Sequence, residues 1–277
     1  MKFTKMHGLG NDYIYVNCLE EKIADRSAMA QRVSNRNFGV GSDGLICVDP
    51  STRADFTMDM YNSDGSWGRM CGNGVRCFGK FVYDSGLTDK TTITVESGGE
   101  IYELQLNVEA GKVSSVRANL GPPVFDPKKI PLATEAADYI NGPIEVLGKQ
   151  YLITCLSFGS SHAVTFVPDT DSLDLNLIGP AFEHHPFFPD RINTEFIKVL
   201  DRKTLKMRVW ERGSGETLAC GTGASASVVA GVLNGLCEPT ATVKLLGGDI
   251  FIEWDREKTG CVFMTGPAAA ICTGVFL

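Results

Sequence analysis

The alternation of apolar and polar residues predicts two copies of one structural unit. Residues 56–61 (Phe-Thr-Met-Asp-Met-Tyr) alternate with the period of a half-buried strand, and residues 205–210 (Leu-Lys-Met-Arg-Val-Trp) do the same. The two runs are offset by 149 residues. The same offset relates the turn Cys71-Gly-Asn-Gly74 to Cys220-Gly-Thr-Gly223. One offset that persists through several kinds of local structure indicates an internal repeat.

A helix of about twelve residues is predicted after each Cys-Gly turn. Each candidate helix ends before a glycine, Gly86 or Gly235, as is typical after the last helical turn. Strand-like runs follow in both copies. These runs are residues 92–96 and 101–108 in the first copy and residues 241–245 and 250–254 in the second. Many strands with few helices favour an α+β fold over a doubly wound parallel sheet.

Residues 121–127 (Gly-Pro-Pro-Val-Phe-Asp-Pro) predict a linker between the copies. We therefore expect a first domain over residues 1–121 and a second over 122–265. A chain built from two copies folds most simply with pseudo-twofold symmetry. That arrangement would bring the two Cys-Gly turns face to face across a cleft.

Composition argues against several kinds of binding partner. The chain has 277 residues and a net charge of −7, without a basic run, so we expect neither a nucleic-acid partner nor a membrane partner. Nine scattered cysteines and no apolar leader favour reduced thiols in the cytoplasm. No metal-binding spacing accompanies the adjacent histidines 184 and 185, so we expect no metal site.

The helix N-termini point to chemistry at Cys71 and Cys220. A helix dipole supplies about 0.3–1 kcal/mol, and up to about 2, so it should lower a thiol pKa by roughly one unit from about 8.5. A thiol of that kind both gives and accepts protons near neutral pH. The other seven cysteines are expected to be buried packing residues.

Two matched thiols suit racemisation or epimerisation. One thiolate would remove a proton from one face of a carbon while the opposite thiol delivers a proton to the other face. A hydrolase gains nothing from a second nucleophile. The developing carbanion needs support, which the backbone N–H groups of Gly72, Asn73, Gly221 and Thr222 would provide by binding the α-carboxylate.

Three segments resemble the signature motifs of the diaminopimelate epimerase family. They are residues 62–74 (Asn-Ser-Asp-Gly-Ser-Trp-Gly-Arg-Met-Cys-Gly-Asn-Gly), residues 211–224 (Glu-Arg-Gly-Ser-Gly-Glu-Thr-Leu-Ala-Cys-Gly-Thr-Gly-Ala) and residues 7–12 (His-Gly-Leu-Gly-Asn-Asp). The resemblance implies an epimerase without cofactor or metal that interconverts LL- and meso-diaminopimelate. It also implies a homodimer and two α+β domains, each with a mostly antiparallel sheet around a central helix. Residues 266–277 would return to the first domain.

The resemblance assigns roles to individual residues. Cys71 and Cys220 would be the acid–base pair, and the remaining matched positions would bind substrate: Asn11, Asn62, Gly72, Asn73, Ser160, Asn193, Glu211, Arg212, Gly221 and Thr222. Gly44 and His162 are further candidates. The family usually has Gly-Asn-Pro-His where this chain has Gly159-Ser-Ser-His162, so we expect altered recognition at the distal end of the substrate.

Several alternatives remain at this stage. Residues 74–81 miss the hydroxyl residue of a phosphate-binding loop, and residues 221–226 lack the strand that precedes a dinucleotide fingerprint. No lysine lies in a recognisable pyridoxal-phosphate setting. A two-thiol racemase of another amino acid, such as histidine, is the main alternative. A binding protein without activity is disfavoured because both cysteines are present.

Overall fold

The computed structural model describes residues 1–277 and divides into two compact units. Unit 1 comprises residues 1–119 and 265–277, and unit 2 comprises residues 120–264. The boundary between residues 264 and 265 falls within strand β17, Val262–Pro267.

Unit 1 contains a mixed sheet and two helices. Its elements are β1 Lys2–Gly8, β2 Asn11–Asn17, α1 Arg26–Ser34, β3 Gly44–Asp49, β4 Phe56–Asn62, β5 Trp67–Gly68, α2 Gly72–Asp84, β6 Thr92–Ser97, β7 Glu100–Glu109, β8 Lys112–Asn119 and β18 Ala269–Val275. The β2–β3 and β4–β6 pairs are parallel. The pairs β1–β18, β1–β2, β3–β4, β4–β5, β6–β7 and β7–β8 are antiparallel.

Unit 2 repeats this order of elements. They are β9 Gly142–Val146, β10 Lys149–Ser157, β11 Ser161–Phe166, α3 Leu175–Glu183, β12 Asn193–Asp201, β13 Thr204–Glu211, β14 Gly215–Glu216, α4 Gly221–Leu233, β15 Thr240–Leu245 and β16 Gly248–Trp254. β9 is additional, and counted from β10 the parallel pairs are again the second strand with the third, β11–β12, and the fourth with the strand after the long helix, β13–β15. The predicted repeat is thus visible within each unit's topology.

In each unit, strands of the sheet pack around the long helix, which is α2 in unit 1 and α4 in unit 2. Helix α2 packs against β1, β2, β3, β7 and β8, and α4 packs against β10, β11, β12, β13, β15 and β16. Ten of the thirteen residues in each helix are buried, because strands cover more than one helical face. Gly86 and Gly235 follow the helices with φ values of 73° and 71°, a left-handed conformation that favours glycine. The expected α+β fold with central helices is confirmed.

The strands predicted within the repeat agree with the structure to within two residues at their ends. Helices α1 and α3 and the strands β1–β3, β5, β8–β12, β14 and β17 were not predicted. β5 and β14 each contain two residues and pair back onto β4 and β13. They lie in the segments expected to be loops. None of the four helices has the length and apolar character needed to cross a bilayer.

Candidate active site

Each predicted catalytic cysteine is the N-cap residue of a central helix. Cys71 precedes α2 with an extended backbone (φ −129°), and Cys220 precedes α4 in the same conformation (φ −121°). The Cys71 Sγ accepts a hydrogen bond from the Gly74 N–H at 3.3 Å. An N-cap side chain normally accepts such a bond from the first helical turn, and here a sulfur takes that role.

A hydrogen-bond network in unit 1 orients Asn11 toward Cys71. The Cys71 thiol donates to Asn11 Oδ1 at 3.2 Å, and Asn11 Nδ2 donates to Asp43 Oδ2 at 2.7 Å. Arg36 in turn donates to Asp43 Oδ1 at 2.9 Å. The carboxylate can only accept, so it fixes which end of the Asn11 amide faces the thiol.

Arg76 is a buried guanidinium on the first turns of α2. It has no exposed surface and donates to Asn73 Oδ1 at 2.9 Å and to the Gly72 carbonyl at 3.1 Å. Burial lowers the pKa of Arg76, and anionic forms of Cys77 and Cys71 would oppose that shift. The residue therefore brings positive charge near Cys71 and fixes the Asn73 amide. Sequence reasoning left Arg76 unassigned.

Gly44 and Asn62 are opposite each other in the antiparallel β3–β4 pair. A Cβ at Gly44 would lie 2.8 Å from Cε1 of Tyr13, which is the partner of Gly44 in β2. This position has no room for a side chain, so Gly44 can contribute only its backbone. Asn62 donates from Nδ2 to Ser66 Oγ at 2.9 Å.

Cys220 lies in a more enclosed and more acidic environment. It is buried, and burial raises its pKa well above the ordinary value, with further increases from Glu211 and Glu195. The expected lowering of the pKa is thus wrong for Cys220. A helix dipole shifts a pKa by about one unit, whereas burial can shift it by several.

The two carboxyl groups near Cys220 differ in their partners. Glu211 ends β13, and burial raises its pKa, while its Oε1 accepts from the Thr217 hydroxyl at 2.5 Å. Glu195 lies fully buried on β12, with Oε1 2.7 Å from His162 Nδ1.

His162 connects this buried pair to residues of the predicted site. Its Nε2 is 3.0 Å from Ser160 Oγ, which is 3.3 Å from Thr222 Oγ1. Thr222 Oγ1 lies 3.6 Å from Cys220 Sγ.

His162, Glu195 and Cys220 also form a cluster of possible metal ligands. Their nitrogen, oxygen and sulfur atoms lie within 4.8 Å of one another, and these three residue types bind metals in other proteins. In this structure the histidine and the carboxylate are hydrogen-bonded to each other.

Asn193 and Arg212 are neighbours at another part of unit 2. Asn193 Oδ1 accepts from the Arg212 backbone N–H at 2.8 Å, and its Nδ2 donates to the Ser161 carbonyl at 3.0 Å. The Arg212 guanidinium donates through Nη1 to the Asp190 carbonyl at 3.0 Å. Both side chains of the predicted distal contact are therefore held by unit 2 itself.

The other seven cysteines were expected to be buried, but three of them are not. Burial raises the pKa of Cys77 to about 12 and of Cys237 to about 11, which makes both thiols unreactive at neutral pH. Cys272, however, is exposed, and Cys18 and Cys261 are partly buried. The packing prediction is wrong for Cys272 because its strand, β18, has five exposed residues out of seven.

Within each unit the structure brings predicted residues together. Asn11 with Cys71 in unit 1, and Ser160 with His162 and Thr222 in unit 2, form direct contacts. Glu195 was missed, because β12 contains both polar and apolar residues and nothing in its spacing distinguishes this glutamate.

Comparison with known proteins decides the family. The family model for diaminopimelate epimerase matches residues 3–125 and 154–271. A diaminopimelate epimerase of Acetivibrio thermocellus is 55% identical over 274 residues, covering 99% of this chain and 98% of that protein. One of Methanococcus maripaludis is 50% identical, covering 99% of each. The chain belongs to the diaminopimelate epimerase family.

Solved structures extend the relationship at the level of fold. A hydroxyproline epimerase from Agrobacterium vitis superposes with a TM-score of 0.70 at 13% identity, covering all of this chain and 91% of that one. A probable proline racemase from Agrobacterium radiobacter gives a TM-score of 0.71 at 12% identity, covering 99% and 92%. The diaminopimelate epimerase family thus shares its fold with other proteins named as epimerases or racemases.

Proposed function

We propose that this chain interconverts LL- and meso-diaminopimelate, with Cys71 and Cys220 as the acid–base pair. The observation that carries the proposal is the repeated N-cap cysteine, in a chain about half identical to diaminopimelate epimerases over its full length. One thiolate removes the α-proton, and the other thiol protonates the opposite face of the α-carbon. Two acid–base groups on opposite faces of the α-carbon invert its configuration, because the new proton arrives on the face opposite the one that the old proton left.

Backbone N–H groups at the starts of α2 and α4 are proposed to bind the substrate α-carboxylate. Gly72, Asn73, Gly221 and Thr222 are the first two residues of these helices, where backbone N–H groups lack helical partners. Charge that develops on removal of the proton delocalises into the carboxylate, so these donors stabilise the transition state. The chemistry needs no cofactor or metal beyond the side chains of the chain.

Residues away from the cysteines are proposed to hold the distal amino-acid group of the substrate. Asn62, Asn193 and Arg212 supply amide and guanidinium groups, and a guanidinium suits bidentate binding of a carboxylate. Asn11 and Glu211 also remain proposed substrate contacts. The comparisons favour diaminopimelate over another amino acid as the substrate, because the family model and the relatives carry that name.

The cysteine pair is tested by following loss of the α-proton from LL-diaminopimelate in D₂O by NMR. Cys71→Ala and Cys220→Ala should each lower epimerisation by about 10²–10⁴-fold, the usual contribution of a general acid or base. Cys272→Ala is the matched control and should retain turnover, because that thiol is exposed on β18. Near-normal turnover in either site variant would refute the pair.

The same assay distinguishes the substrates. Exchange on diaminopimelate but not on histidine is the expected result. Exchange on histidine alone would favour the alternative racemase. A homodimer and a cytoplasmic location also stay predictions, and sedimentation of the purified protein would test the first.

A further inference from the structure

We propose that Glu195 and Ser160 are positioning residues which, with His162 and Thr222, form a one-way hydrogen-bond chain ending at Cys220. The proposal deepens the proposed function, since it rests on Cys220 being one of the catalytic thiols. All five residues belong to unit 2.

Glu195 sets the direction of the chain. Its side chain and that of His162 have no exposed surface, and Oε1 lies 2.7 Å from Nδ1. If Oε1 is the acceptor of this contact, a ring proton of His162 lies on Nδ1. Gly223 approaches the same oxygen closely, since a Cβ at this position would collide with Oε1.

The protonation of His162 determines which hydrogen bonds the Ser160 hydroxyl donates and accepts. With its proton on Nδ1, His162 presents an unprotonated Nε2, so Ser160 must donate across the 3.0 Å contact. The Ser160 oxygen then accepts from the Thr222 hydroxyl at 3.3 Å. The serine's only donor proton is therefore used within unit 2, so the hydroxyl has no proton left to donate to the distal carboxylate of a substrate.

The orientation of the Thr222 hydroxyl affects the protonation state of the Cys220 sulfur. Its hydroxyl proton points to Ser160, so its oxygen faces Cys220 Sγ, 3.6 Å away, as an acceptor. That arrangement favours the protonated thiol, which donates to Thr222. If Ser160 were removed, the Thr222 hydroxyl could rotate and donate to the sulfur, which would favour the thiolate. Thr222 therefore binds substrate through its backbone N–H and controls Cys220 through its side chain.

The first test reads the ring proton directly. In protein labelled with ¹⁵N-histidine, the His162 signals are identified by their loss in His162→Gln. We expect a neutral ring protonated at Nδ1 in the wild type at pH 7.5. Glu195→Gln should add a population protonated at Nε2, because an amide presents donors as well as an acceptor. Protonation at Nε2 or at both nitrogens in the wild type, or an unchanged Glu195→Gln spectrum, would overturn the proposal.

The second test measures thiol reactivity without any substrate. The rate of carbamidomethylation by iodoacetamide at pH 7 is followed separately at each cysteine by mass spectrometry. Ser160→Ala should speed the reaction of Cys220 by about two- to tenfold, the effect of one net hydrogen bond to the thiolate. Ser160→Thr keeps the hydroxyl and should restore the wild-type rate, and Ser161→Ala is the neighbouring control. Cys71 should react at the same rate in all variants. An unchanged or slower Cys220 in Ser160→Ala contradicts the chain.

Steady-state kinetics then separate positioning from substrate binding. Ser160→Ala should change kcat and the pH profile of kcat while KM stays within about twofold. A raised KM with unchanged kcat would make Ser160 a substrate contact and overturn the positioning role. The NMR and alkylation experiments use no diaminopimelate, so their outcome is independent of whether the proposed reaction is correct.

Discussion

Glu211 and Cys220 are two acidic groups whose ionised forms are disfavoured by the same burial. Both lie in unit 2, and the thiol is further affected by the carboxyl group. A group whose pKa is raised on folding binds its proton more tightly in the native state. Stability from that group is present at low pH and is lost as pH rises through the native pKa.

Glu211→Gln should therefore flatten the pH dependence of stability. The unfolded carboxyl ionises near 4.5, so the wild type should lose free energy of unfolding relative to the variant as pH rises above that value. Each unit of pKa difference is worth about 1.4 kcal/mol. Urea midpoints from pH 4.5 to 8 measure the effect, with exposed Glu257→Gln as the control. A difference between wild type and Glu211→Gln that stays constant with pH would contradict the burial argument.

At the residue scale, the site residues that belong to the repeated motif could be predicted from the sequence. The buried charged residues outside that motif could not. Cys71 and Cys220 were predicted to precede helices because each stands at the same place in the repeat, and both do. Arg76 and Glu195 have no counterpart in the repeat: position 225 is Ser and position 46 is Ile. Their environments depend on strands distant in sequence, so composition and spacing could not predict them.

Helices α2 and α4 both contain glycine at their third position, in contact with different neighbours. A Cβ at Gly74 would lie 2.9 Å from the terminal methyl of Ile46 and 3.3 Å from Cys71 Cβ. A Cβ at Gly223 would collide with the Glu195 carboxylate and lie 3.2 Å from Cys220 Sγ. A methyl group at the end of a flexible side chain moves more easily than a carboxylate bonded to His162.

Gly223→Ala should destabilise the protein more than Gly74→Ala. Alanine gains about 1 kcal/mol of helix propensity at either site, but overpacking costs about 1–3 kcal/mol where the neighbour cannot move. Chemical denaturation of the two variants gives the comparison. If Gly74→Ala proved the more destabilising, the proposed rigidity of Glu195 would be wrong.

At the element scale, the long helices were the most predictable elements. Both cover thirteen residues, 72–84 and 221–233, because glycine marks their ends and apolar residues continue between them. The two-residue strands β5 and β14 were not predicted, because two residues cannot show a period. Their pairing depends on the neighbouring long strand rather than on their own sequence.

The whole molecule contains one repeated order of elements, but the equivalent strands β1 and β10 differ in one of their partner strands. In unit 2, β10 pairs with β9, which precedes it in the chain. In unit 1, β1 pairs with β18 instead, which is formed by residues 269–275. Phe276 donates its backbone N–H to the Met1 carbonyl at 2.8 Å, so the two ends of the chain are adjacent.

Deletion of residues 268–277 should therefore weaken unit 1 selectively. β1 would lose one of its two partner strands, so its amide protons should exchange faster in hydrogen–deuterium exchange. Protection in β12 and β13 of unit 2 should stay within about twofold. Deletion of exposed Leu277 alone is the control. Equal loss of protection in both units would show that they unfold as one cooperative body.

This strand order has a consequence for how the protein is made. The ribosome synthesises the chain from its first residue, and domains tend to fold as units as they emerge. Unit 2 is continuous along the chain, whereas unit 1 is assembled from residues on both sides of unit 2. Strand β1 is synthesised before unit 2 and its partner β18 after it, so the β1 edge that pairs with β18 stays unpaired while all of unit 2 is synthesised. Unit 1 is thus begun before unit 2 and completed after it.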